Sequence, residues 1–195
     1  MDERLDKLIE RRYGFVATSE VVSAGVPAMA LTRAVQSGDL VRIERGIYCT
    51  PGTWEDEYLV ANWRFGRGVL SHETALSLLD LSDDTPERIT MTFPRGYNTS
   101  RVVASGICAK TIAADLLTLG VTTVATPYGN EVRCYDAERT LCDMVRGTSS
   151  PNMQALVPAI TTYMLSAKRN IPKLLDTADK LGVQNKIAPY VEVLA

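Results

Sequence analysis

The sequence has little of the chemistry on which most metal sites and catalytic centres depend. Its 195 residues include a single histidine, His72, and four cysteines, none of which forms a CxxC pair. This spacing fits neither a zinc motif nor the disulfide framework of a small secreted domain. We therefore expect no metal site, and we expect the thiols to be small buried groups in a reducing compartment. They belong to Cys49, Cys108, Cys134 and Cys142.

Long apolar runs and a large excess of charge are also missing. No run reaches the roughly 18 apolar residues that a membrane-spanning helix needs, and the charged N-terminus has no signal-peptide core. We expect a cytoplasmic protein with no membrane partner. With 21 basic and 23 acidic residues, the net charge is −2. Residues 53–100 hold four basic and eight acidic side chains, a net of −4, so this part is not expected to face DNA.

Residues 14–50 carry an ordered pattern of helices, turns and strands. A first helix over about 3–12 ends at Gly14, and a second begins at Thr18 or Ser19, either of which can cap it. Gly25 supplies the next turn, and Pro27 takes the first position of a third helix over about 27–37. Residues 40–50 alternate in polarity around a glycine, which is typical of a hairpin. This order predicts a winged helix-turn-helix, a DNA-reading element.

The pattern also predicts which side chains of this element face inward and which face DNA. We expect the following to face inward: Ala30, Leu31, Ala34, Val35, Val41, Ile43 and Ile47. A helix in the major groove presents short side chains near its N-terminus, and the wing reaches phosphates or the minor groove. The expected DNA-binding residues are Ala28, Met29, Thr32 and Arg33 in the third helix and Arg42 and Arg45 in the wing. Alternatively, the winged helix binds a partner protein instead of DNA, since Arg33 is the only cation of its third helix.

The rest of the chain reads as a mixed α+β domain. Helices are expected from Thr53, with Asp56 close to a capping box, after Ser71, and after Asp136. Strands are expected over about 89–93, 107–112, 121–126 and 131–135. Ser150 and Pro151 form a helix-entry signal, and helices follow over about 151–168, 172–181 and 185–194. We therefore predict an α+β fold with a winged helix-turn-helix over 1–52 and an α+β domain over 53–195, helical from 150 to 195.

No convincing catalytic set emerges from these residues. Ser71 and His72 are adjacent, and neighbours on a helix point apart. Asp83 and Asp84 lack a third metal ligand at a suitable spacing, and a solvated loop explains them. We expect no catalytic residue and no cofactor. A weaker hypothesis is that the α+β domain acts on a nucleotide or RNA through carboxylates such as these two.

The segment PRGYN, residues 94–98, is the candidate that this scheme leaves unexplained. Arg95 and Tyr97 in an exposed loop can contact RNA, a protein partner or a phosphate. A plain turn between two strands explains the same residues.

Four ordered blocks resemble the AbiEi family of antitoxin repressors from abortive-infection toxin–antitoxin systems. They are GFVATSEVVSAGVPAMALTRAVQSGDLVRIERGIYCTP (14–51), VLSHETALSLLDLSD (69–83), ITMTFPRGYN (89–98) and YDAERTLCDMVR (135–146). The resemblance implies that the N-terminal domain represses its own operon by binding inverted repeats in the promoter. It also implies that the C-terminal domain counteracts a nucleotidyltransferase-like toxin without a stable complex. Many members carry several cations in the recognition helix, where this chain has Arg33 alone.

Overall fold

The computed structural model describes residues 2–146 and 152–194, which form helices and two β-sheets in an α+β arrangement. The chain packs as two units. Unit 1 comprises residues 1–64 and 125–131, and unit 2 comprises residues 65–124 and 132–195. By packing, unit 1 therefore extends past residue 52, where the sequence placed a domain boundary. The boundary at 52 remains a prediction about functional domains.

Unit 1 has the element order of a winged helix-turn-helix. Its elements are α1 (Glu3–Arg11), β1 (Phe15–Ala17), α2 (Thr18–Ser23), α3 (Met29–Gln36), β2 (Val41–Glu44), β3 (Ile47–Cys49) and α4 (Glu57–Arg64). The three strands form an antiparallel sheet in the order β1-β3-β2. Apolar residues of α1, α2, α3 and the neighbouring strands share one buried cluster, consisting of Leu5, Ile9, Val16, Val21, Val26, Leu31, Ala34 and Leu40. The predicted helix–helix–hairpin order is confirmed.

The helix starts in unit 1 differ from those expected. Ala17, not Thr18 or Ser19, occupies the N-cap position of α2, with no side-chain cap bond. The Thr18 amide instead donates to the Gly46 carbonyl at 2.8 Å, because β1 runs directly from its pairing with β3 into the helix. Pro27 precedes α3, which begins at Met29.

Two side chains expected to face inward are exposed. Val35 lies on the outer side of α3, and Val41 at the start of β2 is also exposed. Leu40 takes the buried place beside the helix. The strand register shifts between Arg42 and Glu44, so simple alternation does not hold along β2. Ile47 is buried as predicted.

A buried carboxylate organises the end of unit 1. Asp56, not Thr53, caps α4: its Oδ1 accepts from the Leu59 amide at 3.0 Å. Its Oδ2 accepts from Thr126 Oγ1 at 2.7 Å and from Asn130 Nδ2 at 3.0 Å. Residues 125–131 group with unit 1 because these bonds tie them to the start of α4.

Unit 2 combines the second sheet with most of the helices. Its elements are β4 (Val69–Leu70), α5 (His72–Leu78), β5 (Thr90–Pro94), α6 (Ser100–Ala104), β6 (Cys108–Ile112), β7 (Val121–Ala125), β8 (Glu131–Tyr135), α7 (Ala137–Val145), α8 (Met153–Leu165), α9 (Ile171–Lys180) and α10 (Gln184–Leu194). The sheet order is β6-β5-β4-β8-β7. β5 runs parallel to β6 and antiparallel to β4, and β4 runs parallel to β8.

The four strands predicted over about 89–135 are confirmed to within about two residues. The sequence did not predict β4 or the short α6 of unit 2, nor β1 of unit 1. Pro158 lies inside an uninterrupted α8. The Asn152 side chain accepts from the Ala155 amide and caps that helix. The predicted entry signal at Ser150 and Pro151 lies outside the described residues.

Helix α7 forms the centre of unit 2, and it contacts α5, α8, α9 and α10. Asp136 caps it as predicted, accepting from the Arg139 amide. The fully buried Arg139 donates through Nε to Asp143 at 2.9 Å and through Nη1 to the carbonyls of Leu116 and Leu119 at 2.8 Å. This network links α7 to the segment that precedes β7. Asp143 is paired locally with Arg139, whereas Asp136 and Glu138 each lie 2.9 Å from Lys173 Nζ of α9.

Candidate nucleic-acid interface

The exposed face of α3 and the Ala28 position just before it carry the four side chains predicted to read DNA. Ala28, Met29, Thr32 and Arg33 are exposed, while Leu31 and Ala34 on the opposite side are buried. The 3.6-residue period of the helix separates the two faces. Met29 is 59% exposed, which is unusual for a thioether in a small domain. The helix therefore offers a surface of short and flexible side chains with one guanidinium.

The wing is the hairpin formed by β2 and β3. Gly46 adopts φ +82° at its turn, a left-handed conformation that glycine reaches without strain. Arg45 precedes it and is exposed. Arg42 is also exposed, and its Nε donates to the Glu44 carbonyl at 3.0 Å. Both predicted wing arginines thus lie on the outside of the hairpin.

Arg64 is a residue of this surface that the sequence did not suggest. Its Nη1 lies 2.6 Å from Glu44 Oε1, so the last residue of α4 neutralises the carboxylate on the wing. The pair joins residues 20 positions apart in the chain, and no local pattern predicts it. A cavity of about 580 Å³ lies here, lined by Ser19, Arg45, Trp63, Arg64 and neighbouring residues.

Negative charge lies at the C-terminal end of α3. Asp39 follows the helix and accepts from Ser37 Oγ at 2.6 Å. Asp39 and Asp2 line a depression of about 540 Å³ together with Met29 and Arg33. Carboxylates repel phosphates, so the C-terminal end of α3 is the less suitable end for DNA. Recognition helices generally read bases with their N-terminal half, and in α3 that half borders the same depression as Asp2.

The Ser71–His72 pair is arranged differently from the expectation. Ser71 is extended and His72 adopts φ +54°, so the two do not diverge as helix neighbours would. His72 Nδ1 lies 3.0 Å from Ser71 Oγ, to which Thr92 Oγ1 donates at 2.8 Å. Burial lowers the pKa of His72, against the opposing effect of Asp143. Ser71 is fully buried, so its hydroxyl serves this internal cluster.

The other candidates of unit 2 lie in loops. Asp83 and Asp84 are exposed, and the Asp84 amide donates to Ser82 Oγ. Within the described ranges, no group of three or more His, Cys, Asp or Glu side chains is arranged to hold a metal ion. None of the helices described there is both long and apolar enough to cross a bilayer.

The segment PRGYN, which was interpreted either as an exposed binding loop or as a plain turn between strands, forms a turn. The Tyr97 amide donates to the Pro94 carbonyl at 3.0 Å, and the Arg95 amide donates to Ile112. Arg95 is exposed at this turn. Tyr97 is only half-buried, because its ring stacks on Phe93 with centroids 4.7 Å apart.

Comparisons with known proteins agree with the architecture of unit 1. Residues 3–51 match the family described as "Transcriptional regulator, AbiEi antitoxin", and this range spans α1 to the end of β3. The predicted resemblance is thereby confirmed for the N-terminal module. No curated protein matches the chain significantly.

The whole chain also has a structural likeness. It is similar to the crystal structure of the RV2827C protein from Mycobacterium tuberculosis, with a TM-score of 0.52. Sequence identity is 17%, and the match covers 97% of this chain and 80% of that chain. At this identity the likeness shows the fold alone.

Proposed function

We propose that this chain is an antitoxin that also represses its own operon by binding inverted repeats of promoter DNA through α3 and the wing. The observation that carries the proposal is the match of residues 3–51 to an antitoxin regulator family, together with the exposed reading face of α3. Repression then follows from occupancy of the promoter by the bound protein.

The side chains of α3 suit contacts in the major groove. The methyl groups of Ala28 and Met29 can touch a thymine methyl, and the Thr32 hydroxyl can bond either a base or a phosphate. Arg33 can form a bidentate pair with guanine, the commonest specific contact of this kind. Because Arg33 is the only cation of the helix, we expect its loss to reduce both affinity and specificity.

The wing supplies contacts that depend less on sequence. Arg45 at the turn and Arg42 beside it can neutralise phosphates or enter the minor groove. The bond from Arg42 to Glu44 uses Nε, which leaves the terminal nitrogens of that guanidinium outside this bond. The ion pair of Arg64 with Glu44 also lowers the electrostatic cost of bringing DNA to the wing.

The antitoxin activity is assigned to the α+β part, against a nucleotidyltransferase-like toxin and without a stable complex. We propose no catalytic step and no cofactor for it. Full-length protein carrying Arg33→Ala should still rescue cells from that toxin, since the substitution affects DNA reading only. Loss of rescue in this variant, with normal expression, would tie neutralisation to DNA binding and contradict the division of labour.

The decisive experiment measures binding of the full-length protein to DNA from upstream of its own gene. Fluorescence anisotropy should show binding that scrambled DNA does not reproduce and that weakens steeply with salt. Arg33→Ala should weaken specific binding by about 1–3 kcal/mol, roughly 5- to 150-fold. Arg45→Ala should weaken binding to all sequences and lower the salt slope by about one.

Arg11→Ala is the matched control, since Arg11 is an exposed arginine of α1 in the same unit and lies outside the reading face. It should bind as the unaltered protein does. Equal effects of all three substitutions would contradict a specific role for α3. Absence of binding at low salt would instead favour the alternative, in which the winged helix docks on a protein partner.

A further inference from the structure

We propose that unit 2 carries a separate binding surface for single-stranded nucleic acid, formed by Arg67, Arg95, Tyr97 and Arg133. We call it the arginine–tyrosine surface. The Arg67 guanidinium, supported by the Tyr97 ring, stacks with a base, and Arg95 and Arg133 hold phosphates. This activity goes beyond promoter binding, which belongs to unit 1.

The charge along the chain is strongly asymmetric in this part of unit 2. Residues 88–114, which include β5, α6 and β6, contain the four cations Arg88, Arg95, Arg101 and Lys110 and no acidic side chain. Residues 65–72 add Arg67, again without an acidic neighbour. The protein as a whole has a net charge of −2. At the Pro94 end of the sheet the cations are Arg67, Arg95 and Arg133, with Glu131 two positions before Arg133 in the chain. A local excess of positive charge attracts a polyanion even when the whole protein is slightly acidic.

Two stacked aromatic rings and a guanidinium in cation–π contact with one of them lie in this part of unit 2. Tyr97 lies parallel to Phe93, with an interplanar angle of 9° and centroids 4.7 Å apart. The Arg67 guanidinium carbon lies 5.5 Å from the centroid of Tyr97. Phe65 meets the edge of Phe93 at 86° and supports the stack from the interior. The exposed end of the stack is therefore a cation whose planar group can carry a nucleobase.

The loop that carries Arg67 is held in place by two contacts. Arg133 Nη1 donates to the Gly66 carbonyl at 2.9 Å. Gly68 lies so close to Phe93 that an added Cβ would come within 2.6 Å of the ring. These contacts place Arg67 over Tyr97 before any ligand binds, which reduces the ordering cost of binding. They also bring Arg133 to the same end of the sheet.

Arg95 is displayed by the turn that follows β5. The bond from the Tyr97 amide to the Pro94 carbonyl closes the turn, and Gly96 takes φ +87° there. The Arg95 amide is bonded to Ile112, so its backbone is fixed while its side chain is exposed. A positive charge on a rigid turn beside a stacking group is the combination that tracks a single-stranded backbone.

The stack favours a single strand over other anionic partners. Bases in a duplex are stacked on each other and cannot add to an aromatic–guanidinium stack, whereas bases of a single strand can. An acidic protein surface would use the charge of Arg67 but would gain nothing from its stacking on Tyr97. Arg67→Lys keeps the positive charge but lacks the planar guanidinium, so its effect on binding distinguishes a single-stranded nucleic acid from an acidic protein.

The test uses full-length protein and a fluorescein-labelled single-stranded RNA of about 12 nucleotides, followed by anisotropy at two salt concentrations. Arg67→Ala should weaken binding roughly fivefold or more, the lower limit for one stacked base. Arg95→Ala should weaken binding and lower the salt slope by about 0.7, the share of one phosphate contact. Arg67→Lys should also weaken binding, because lysine has no planar group. With two arginines holding phosphates, the logarithmic salt slope should be about −1.4.

Two matched controls accompany these variants. Arg88→Ala removes an exposed arginine just before β5, at the end of that strand opposite the Pro94 turn, and should change RNA affinity less than about twofold, within the range expected of one distant charge. Arg33→Ala, which affects promoter binding, should leave RNA affinity unchanged. These controls keep a failure of the promoter hypothesis apart from a failure of this one.

Several outcomes would overturn the proposal. They are no RNA binding at low salt, an equal effect of Arg88→Ala, and full affinity in Arg67→Lys. Competition by poly-glutamate as effective as unlabelled RNA at equal charge would show an acidic-protein site. Loss of duplex DNA binding in Arg67→Ala, without any RNA binding, would assign the surface to duplex DNA.

Discussion

The buried carboxylate of Asp56 is the most demanding polar group of unit 1, and its removal tests whether it joins residues 125–131 to the winged helix. We consider the substitution Asp56→Ala. It removes the acceptor for the Leu59 amide, for Thr126 Oγ1 and for Asn130 Nδ2. All of these groups are buried, so water does not replace the lost bonds.

The expected loss of stability follows from these three bonds. A lost helix cap costs about 1 kcal/mol. Each buried donor left without a partner costs about 1–3 kcal/mol. Allowing for relaxation and non-additivity, we expect unit 1 to lose about 3–5 kcal/mol of unfolding free energy. Asp56→Asn keeps an acceptor for the Leu59 amide, but its amide NH2 group would face the Nδ2 donor of Asn130. We therefore expect an intermediate loss of about 1–3 kcal/mol of unfolding free energy.

Intrinsic fluorescence reports on this unit selectively, because the two tryptophans of the chain, Trp54 and Trp63, both belong to it. Urea titration followed by tryptophan emission should show a lower midpoint for Asp56→Ala. Asp39→Ala, at an exposed aspartate of the same unit, should stay within about 0.5 kcal/mol of the unaltered protein. If Asp56→Ala also stays within about 1 kcal/mol, the claim that Asp56 anchors this part of unit 1 is wrong.

Two further predictions concern unit 2. Gly120→Ala should destabilise unit 2 by roughly 2 kcal/mol more than Gly106→Ala, because of steric overlap in a tightly packed core. Both glycines have positive φ, but only at Gly120 would the new Cβ meet Arg139 Cβ, at 2.6 Å. Thermal unfolding followed by circular dichroism measures the difference. Burial raises the pKa of Cys134 and of Cys142 to about 12, so at pH 8 neither should react with a thiol reagent until unit 2 unfolds. Both folded-state pKa values lie above the ordinary 9.0. The contribution of these two thiols to the free energy of unfolding is therefore fully present below pH 9 and declines as the pH rises towards 12. Rapid labelling of these two thiols in the native protein would contradict the packing described.

Much of the local structure was predictable because its signals are local. Asp136 caps α7, Gly25 and Gly46 mark turns, and the strands of unit 2 lie close to where alternating and apolar runs predicted them. The errors occur where a distant partner decides. Ala17 heads α2 because β1 is paired with β3, and Asp56 replaces Thr53 as the cap of α4 because its carboxylate also binds residues some 70 positions away.

The two binding surfaces show the same division. The outward face of α3 could be predicted from helical periodicity, and the structure exposes the side chains it named. The prediction that Val35 faces inward was wrong, because helical periodicity gives the direction of a side chain but not how far the neighbouring core extends around the helix. The role of Arg64 on the wing could not be predicted, since its partner lies across the fold. For the arginine–tyrosine surface, the run of cations without acidic residues over 88–114 was a signal in the sequence, but Arg67 and Arg133 reach it only through folding.

Sequence by itself determined the order of helices and strands, the winged helix-turn-helix and its resemblance to antitoxin regulators, because periodicity, caps and turn residues act over a few positions. Tertiary structure alone decided which side chains meet: Arg64 with Glu44, Arg67 with Tyr97, Asp56 with Thr126 and Asn130. Such contacts depend on how packed elements bring distant segments within a few ångströms, and no short stretch of sequence contains that information.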